Sequence, residues 1–101
     1  MTGSTRSSDG LDLRRRKLLF RSWHRGMRET DLIIGRFADA TIARLTEGEL
    51  VEFERLIEVP DGELLAWVTG AADVPADYDT ALFRRLRDFN RSGQGAEVRA
   101  R

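Results

Sequence analysis

From Leu11 onward the apolar positions of the chain recur with a helical period. Leu11, Leu18, Leu19, Phe20 and Trp23 gather near one side of a 3.6-residue repeat, with Arg14, Arg15, Arg16, Lys17 and Arg21 around the rest. Gly26 predicts the stop, because glycine enters the left-handed conformation at little steric cost. Glu29-Thr30-Asp31 then places acids where the positive end of a second helix favours them. Ile33, Ile34, Phe37, Ala38, Ile42 and Leu45 form its i, i+3, i+4, i+7 stripe. Thr46 and Glu49 make a T-x-x-E capping box for a third helix, whose apolar face is Leu50, Phe53, Leu56 and Ile57 and which Pro60 ends. Asp61 is the expected N-cap of a short fourth helix carrying Leu64, Leu65, Trp67 and Val68 and stopped at Gly70. A fifth is predicted from about Ala76, with Tyr78, Leu82, Phe83, Leu86 and Phe89 on one side.

No segment alternates with period two, and Asp9-Gly10 and Asp61-Gly62 suit a tail and a cap better than hairpin turns. The pattern therefore predicts an all-α, single-domain five-helix bundle over residues 11–90 with short connections. Residues 1–10, rich in Gly, Ser and Thr, are expected to form a disordered tail, and 91–101 a frayed one.

Composition narrows the chemistry. With 101 residues there is room for one domain. Such a chain buries roughly 60–65% of its unfolded surface, too little to enclose a large cofactor and keep a core. The absence of cysteine excludes a disulfide, a thiol nucleophile and a thiolate metal site. A single histidine, His24, excludes a His-rich metal cluster. No apolar run approaches the ~20 residues that cross a bilayer, and the first ten residues lack a signal core. The expectation is a protein without membrane insertion in a reducing compartment: the cytoplasm of a bacterium, or the mitochondrial matrix of a eukaryote.

Charge is balanced overall but segregated along the chain. Residues 1–28 carry net +6, residues 29–83 net −10 and residues 84–101 net +4. Distinct basic and acidic faces would suit an oriented protein partner. An acidic middle suits nucleic acid poorly. Around Arg14–Lys17 the choice is between a solvated helix face and a docking surface for an acidic protein. A nucleic-acid contact is disfavoured, since no stacking aromatics interleave with basic residues in a recognisable module.

Catalytic patterns are missing. The sequence holds neither G-x-G-x-x-G nor a GxxxxGK[ST] phosphate loop. Ser22 and His24, two apart on a helix, face different ways and form no nucleophile–base pair. Glu47, Glu49, Glu52, Glu54 and Glu58 read as the wet side of the third helix. The chain is expected not to be an enzyme and to hold no cofactor or metal of its own.

The most informative stretch is Arg25-Gly26-Met27-Arg28-Glu29. It is a corner between two helices. Gly26 leaves the backbone uncovered, so another chain could approach closely. Arg25 offers a five-donor fork for a carboxylate or a rim of carbonyls. Glu29 can accept from open amides or from a partner's arginine. Taken alone, the same residues also suit a glycine C-cap, a snorkelling arginine and a first-turn acid.

A wider match adds to this. Arg15-Arg16-Lys17-Leu18-Leu19-Phe20 followed by R-G-x-x-E resembles the signature of the SdhE family of FAD assembly factors. Phe53, Leu56, Ile57, Glu58, Asp61, Leu64 and Trp67 resemble that family's second block, F-x-x-L-[LI]-E-x-x-D-x-x-L-x-x-W. The resemblance runs from about Leu13 to Asn90. It implies a small helical bundle that binds the flavoprotein subunit of succinate dehydrogenase, or the related fumarate reductase. It further implies that the chain promotes covalent attachment of FAD to a histidine of that subunit. FAD would then be the partner's cofactor. By the same resemblance Arg25, Gly26 and Glu29 lie on the docking surface, and Met27 and Arg28 complete the RGMRE form. His24 stands where relatives often carry a second basic residue, and Thr30 replaces a commonly apolar one. Trp23, one turn earlier, is shared between core and partner anchor, whereas Trp67 reads as core. The expected partner-binding set is thus Trp23, His24, Arg25, Gly26, Met27, Arg28 and Glu29. The rival reading is a generic helical adaptor that takes another acidic protein on its basic first helix.

Overall fold

A computed structural model of the chain describes residues 10–92. The expectations for 1–9 and 93–101 lie outside them. Five α-helices follow one another: α1 (Leu13–Trp23), α2 (Arg28–Thr41), α3 (Glu47–Ile57), α4 (Asp61–Thr69) and α5 (Ala81–Arg91). Short 3-10 turns at Ile42–Arg44 and Ala76–Tyr78 precede α3 and α5. No strand occurs among the described residues, so the all-helical, five-helix expectation holds.

Capping chemistry sets the starts. Asp12 accepts from the Arg15 amide at 2.8 Å and opens α1. Thr46 and Glu49 form the reciprocal box foreseen for α3. Two starts differ from expectation. Pro60, not Asp61, occupies the N-cap of α4, and Asp61 sits in the first turn with its carboxylate turned elsewhere. The fifth helix begins at Ala81 rather than near Ala76, because Thr80 accepts from the Phe83 amide at 3.1 Å and caps it there. Gly70, at φ 87°, closes α4 in the left-handed conformation.

The apolar stripes meet in one core, which includes Leu18, Ile34, Phe37, Ile42, Leu50, Phe53, Leu64, Val68, Phe83 and Leu86. Phe37 lies edge-on to Phe53 and Phe89, and Trp67 is buried against Tyr78. Buried Ser22 and Thr41 return their hydroxyl protons to the carbonyls of Leu18 and Phe37, so neither is left without a partner. Phe20 departs from the expected stripe. It lies one residue beyond Leu19, rotated about 100° around the helix, and is 61% exposed.

Helix α2 crosses α1 closely because Gly35 has no side chain. A Cβ there would lie 2.4 Å from Cδ2 and Cε2 of Trp23. The Trp23 ring fills that space, 4% exposed, and its indole N–H donates to Asp39 at 3.1 Å. Trp23 is therefore a core residue, and the partner-anchor half of its expectation is not met.

Candidate functional site

The chain between α1 and α2 turns at Gly26, whose φ of 107° is open to glycine and strained for other residues. Nothing lies within 4 Å of where its Cβ would stand. The corner is closed locally by Asp31, whose carboxylate accepts from the Arg25 amide at 2.8 Å. The Met27 carbonyl accepts from the Asp31 amide at 2.9 Å, starting α2 without a side-chain cap.

Arg25 does not offer its fork to solvent. Its side chain is 7% exposed and reaches across to the junction of α3 and α4. Nη1 donates to the Ile57 carbonyl at 2.7 Å and Nη2 to the Val59 carbonyl at 2.5 Å. Nε donates to Asp61 Oδ1 at 2.6 Å. The last carbonyls of a helix have no partner within it and carry its negative dipole end, so a guanidinium there satisfies both needs. The Thr30 hydroxyl, buried in the first turn of α2, lies 2.9 Å from the same Asp61 oxygen and 3.1 Å from the Met27 carbonyl. The fork foreseen for a partner's carboxylate thus clasps the chain's own corner to a second corner.

What faces outward is different. Arg28 and Glu29 occupy the first two positions of α2, both exposed. Among the described residues neither side chain has a hydrogen bond or an ion pair. Glu29 is electrostatically well placed there. Arg28 is not, since a cation at a helix N-terminus opposes the dipole. His24 is also exposed, its ring stacked on Phe20 with centroids 3.9 Å apart and planes 15° from parallel. Its Nδ1 lies 2.7 Å from the Phe20 carbonyl. Met27 is half-buried. The exposed set around the corner is therefore Phe20, His24, Gly26, Arg28 and Glu29. Sequence reasoning missed Phe20 by counting it with the core stripe. The structural partners Asp61 and Thr30 were missed too, because their role is tertiary.

Half of the basic run Arg14–Lys17 on α1 is engaged within the molecule. Arg14 pairs with Glu54 at 2.8 Å and with Glu47. Arg15 donates to the carbonyls of Ile42 and Leu45 at 2.9 and 2.6 Å. Arg16 and Lys17 remain exposed. Arg21 joins Glu58 at 2.6 Å, beside a small open crevice lined by Arg21, His24, Arg25 and Ile57. No group of His, Cys, Asp and Glu among the described residues could hold a metal ion, and no helix there is long and apolar enough to cross a membrane.

Comparison with known proteins places this geometry in a lineage. Residues 16–90 match the family model described as flavinator of succinate dehydrogenase. The FAD assembly factor SdhE of Acetobacter pasteurianus is 39% identical over 89 residues, covering 88% of this chain and 82% of that protein. The mitochondrial succinate dehydrogenase assembly factor 2 of Dictyostelium discoideum is 39% identical over 73 residues, 72% of this chain and 52% of that one. Its counterpart from Scheffersomyces stipitis is 36% identical over 69 residues, 68% and 46%. The chain thus spans most of the bacterial relative and about half of these mitochondrial ones. The matched segment contains both the Gly26 corner and the α3–α4 junction that clasps it, and by this match the chain belongs to the succinate dehydrogenase flavinator family.

Proposed function

We propose that this protein assists the assembly of succinate dehydrogenase by docking its Gly26 corner on the flavin-bearing subunit and favouring covalent attachment of FAD there. The observation that carries the reading is the outward Arg28–Glu29 pair, without a partner among the described residues, on a corner that Arg25 and Thr30 tie to the α3–α4 junction. Family membership supplies the class of partner; the corner supplies the grip. Opposite charges side by side read a complementary pair on another surface and set its orientation. Phe20 and His24 add an exposed stacked pair of rings at the α1 end of the corner.

The chain contributes no nucleophile or tuned acid–base pair to this reading. Its part is orientation. A covalent flavin bond requires the target histidine to lie against the ring in a reactive arrangement, and fixing that arrangement lowers a barrier by up to about 7–11 kcal/mol in favourable cases. FAD and the reacting groups belong to the partner in this account. The adaptor reading on α1 is the weaker one, because Arg14 and Arg15 already have partners in the fold.

The test is reconstitution of the apo-flavoprotein with FAD, with and without this chain, followed by in-gel flavin fluorescence. Arg28→Ala and Glu29→Ala are expected to slow covalent flavin formation by about ten-fold or more, as the loss of one or two charged contacts of about 1.5–3 kcal/mol each. Arg28→Ala should meanwhile leave thermal stability unchanged or slightly higher. Normal flavin formation by both folded variants would refute the docking role.

A further inference from the structure

Asp61 has a local job that it declines. An aspartate in the first turn of a helix favours the open amides and positive dipole of that helix, yet α4 has no side-chain cap. Its Oδ1 instead lies 2.6 Å from Arg25 Nε and 2.9 Å from Thr30 Oγ1. One carboxylate oxygen therefore holds the last residue before the Gly26 turn and the buried hydroxyl in the first turn of α2. The outward residues Arg28 and Glu29 lie between those two attachment points in the chain. With φ at Gly26 of 107°, the intervening backbone is of a kind that needs its ends fixed to hold one conformation.

We propose that Asp61 is the positioning residue of the docking corner: it touches no partner, but sets the direction in which Arg28 and Glu29 leave the surface. This rests on the docking reading above and adds to it the residue that prepares the site. The arrangement divides labour between two neighbouring corners. Arg25 supplies three donors, two to the end of α3 and one to Asp61. Thr30 supplies the second attachment to the same oxygen. Without the carboxylate, Arg25 still has its two carbonyls and α2 still packs on α4 through the core, so the α3 end remains capped while the first turn of α2 loses its hydrogen bond to α4. The effect is then confined to the corner, which distinguishes positioning from general support of the fold.

The experiment compares Asp61→Ala, Asp61→Asn and Thr30→Val with the parent chain, each titrated onto the apo-flavoprotein at a temperature well below its melting transition. Asp61→Ala is expected to weaken binding about ten-fold or more with full helical circular dichroism. It should also raise hydrogen exchange at the amides of residues 25–31 while leaving those of α5 protected. Asp61→Asn keeps an oxygen acceptor in place and should retain more affinity than alanine does. Thr30→Val, which keeps the shape and removes the hydroxyl, should lose several-fold. Should Asp61→Ala fail to fold, the asparagine and valine variants carry the test. Parent-like affinity and exchange in the folded Asp61 variants, with Arg28→Ala and Glu29→Ala still weak, would overturn the positioning role alone. Parent-like affinity in the Arg28 and Glu29 variants would overturn the docking reading and this inference together.

Discussion

At the scale of single residues, the two glycines that matter do opposite things. Gly26 is open on its outer side and needed for its backbone angle; Gly35 is in an ordinary helix and needed for the space above it. Helix propensity alone favours alanine at Gly35 by about 1 kcal/mol. The Trp23 ring, 2.4 Å from where that methyl would sit, reverses the sign. We expect Gly35→Ala to lower stability by about 1–3 kcal/mol, the usual range for overpacking a closed core. Urea denaturation checks this, and a rise in stability would show that the ring moves aside freely. Nothing in the sequence announces this partnership, since Trp23 and Gly35 are unrelated by period. The same limit applies to Arg25. Its residue type correctly suggests a gripping fork, but only the tertiary structure shows that the object gripped is the chain itself.

Among elements, what was legible depended on whether the signal was local. The Thr46–Glu49 box, the Gly70 stop and the stripe of α3 are short-range patterns that stand where the sequence puts them. The stripe foreseen for α2 runs past its end at Thr41, with Ile42 in the 3-10 turn and Leu45 just after it. Asp61 was misplaced by one position and the start of α5 by about five, because in each case a distant or weaker competitor won: Arg25 took the carboxylate, and Thr80 without a reciprocal glutamate set the cap. The carboxylates Glu47, Glu49, Glu52, Glu54 and Glu58 read as a wet face, yet all but Glu52 pair with arginines of neighbouring helices. Glu54 is held below its ordinary value of 4.5 chiefly by the hydrogen bonds from Arg14. Glu49 is likewise lowered, first by the Thr46 amide and then by Arg85. Asp12 is lowered from 3.8 by the Arg15 amide. A carboxylate depressed in the folded state adds stability above its unfolded value, and that contribution is lost as pH falls through the folded one. Thermal melts should accordingly be flat above about pH 6 and begin to decline near 4.5, steepening below. Arg14→Ala should flatten part of that decline; an unchanged acid profile would argue that the pair adds nothing, as many exposed pairs do.

Across the whole molecule, the segregation of charge along the sequence turns out to be largely an internal code. The basic α1 lies against the acidic α3, with Arg14 on Glu47 and Glu54 and Arg21 on Glu58, while Arg85 of α5 returns to Glu49. Separate basic and acidic faces, foreseen for an oriented partner, are thereby partly cancelled by folding. Arg28 and Glu29 at the corner, without partners among the described residues, stand out against that background. Exposed pairs of this kind are worth about 0.2–1 kcal/mol each and are screened by salt. The melting temperature is expected to fall by only a few degrees between 0.05 and about 1 M sodium chloride. A fall of tens of degrees would mean that the ion pairs, not the apolar core, hold the bundle.

The clasp between the two corners also has a consequence for the order in which the protein becomes competent during synthesis. A ribosome delivers the five-residue motif some thirty positions before the aspartate that steadies it. A nascent chain that has released α1 and α2 alone therefore displays every letter of the signature without its final shape. On the docking reading proposed above, full-strength recognition by the partner waits until the first turn of α4 has emerged and its aspartate has reached the corner.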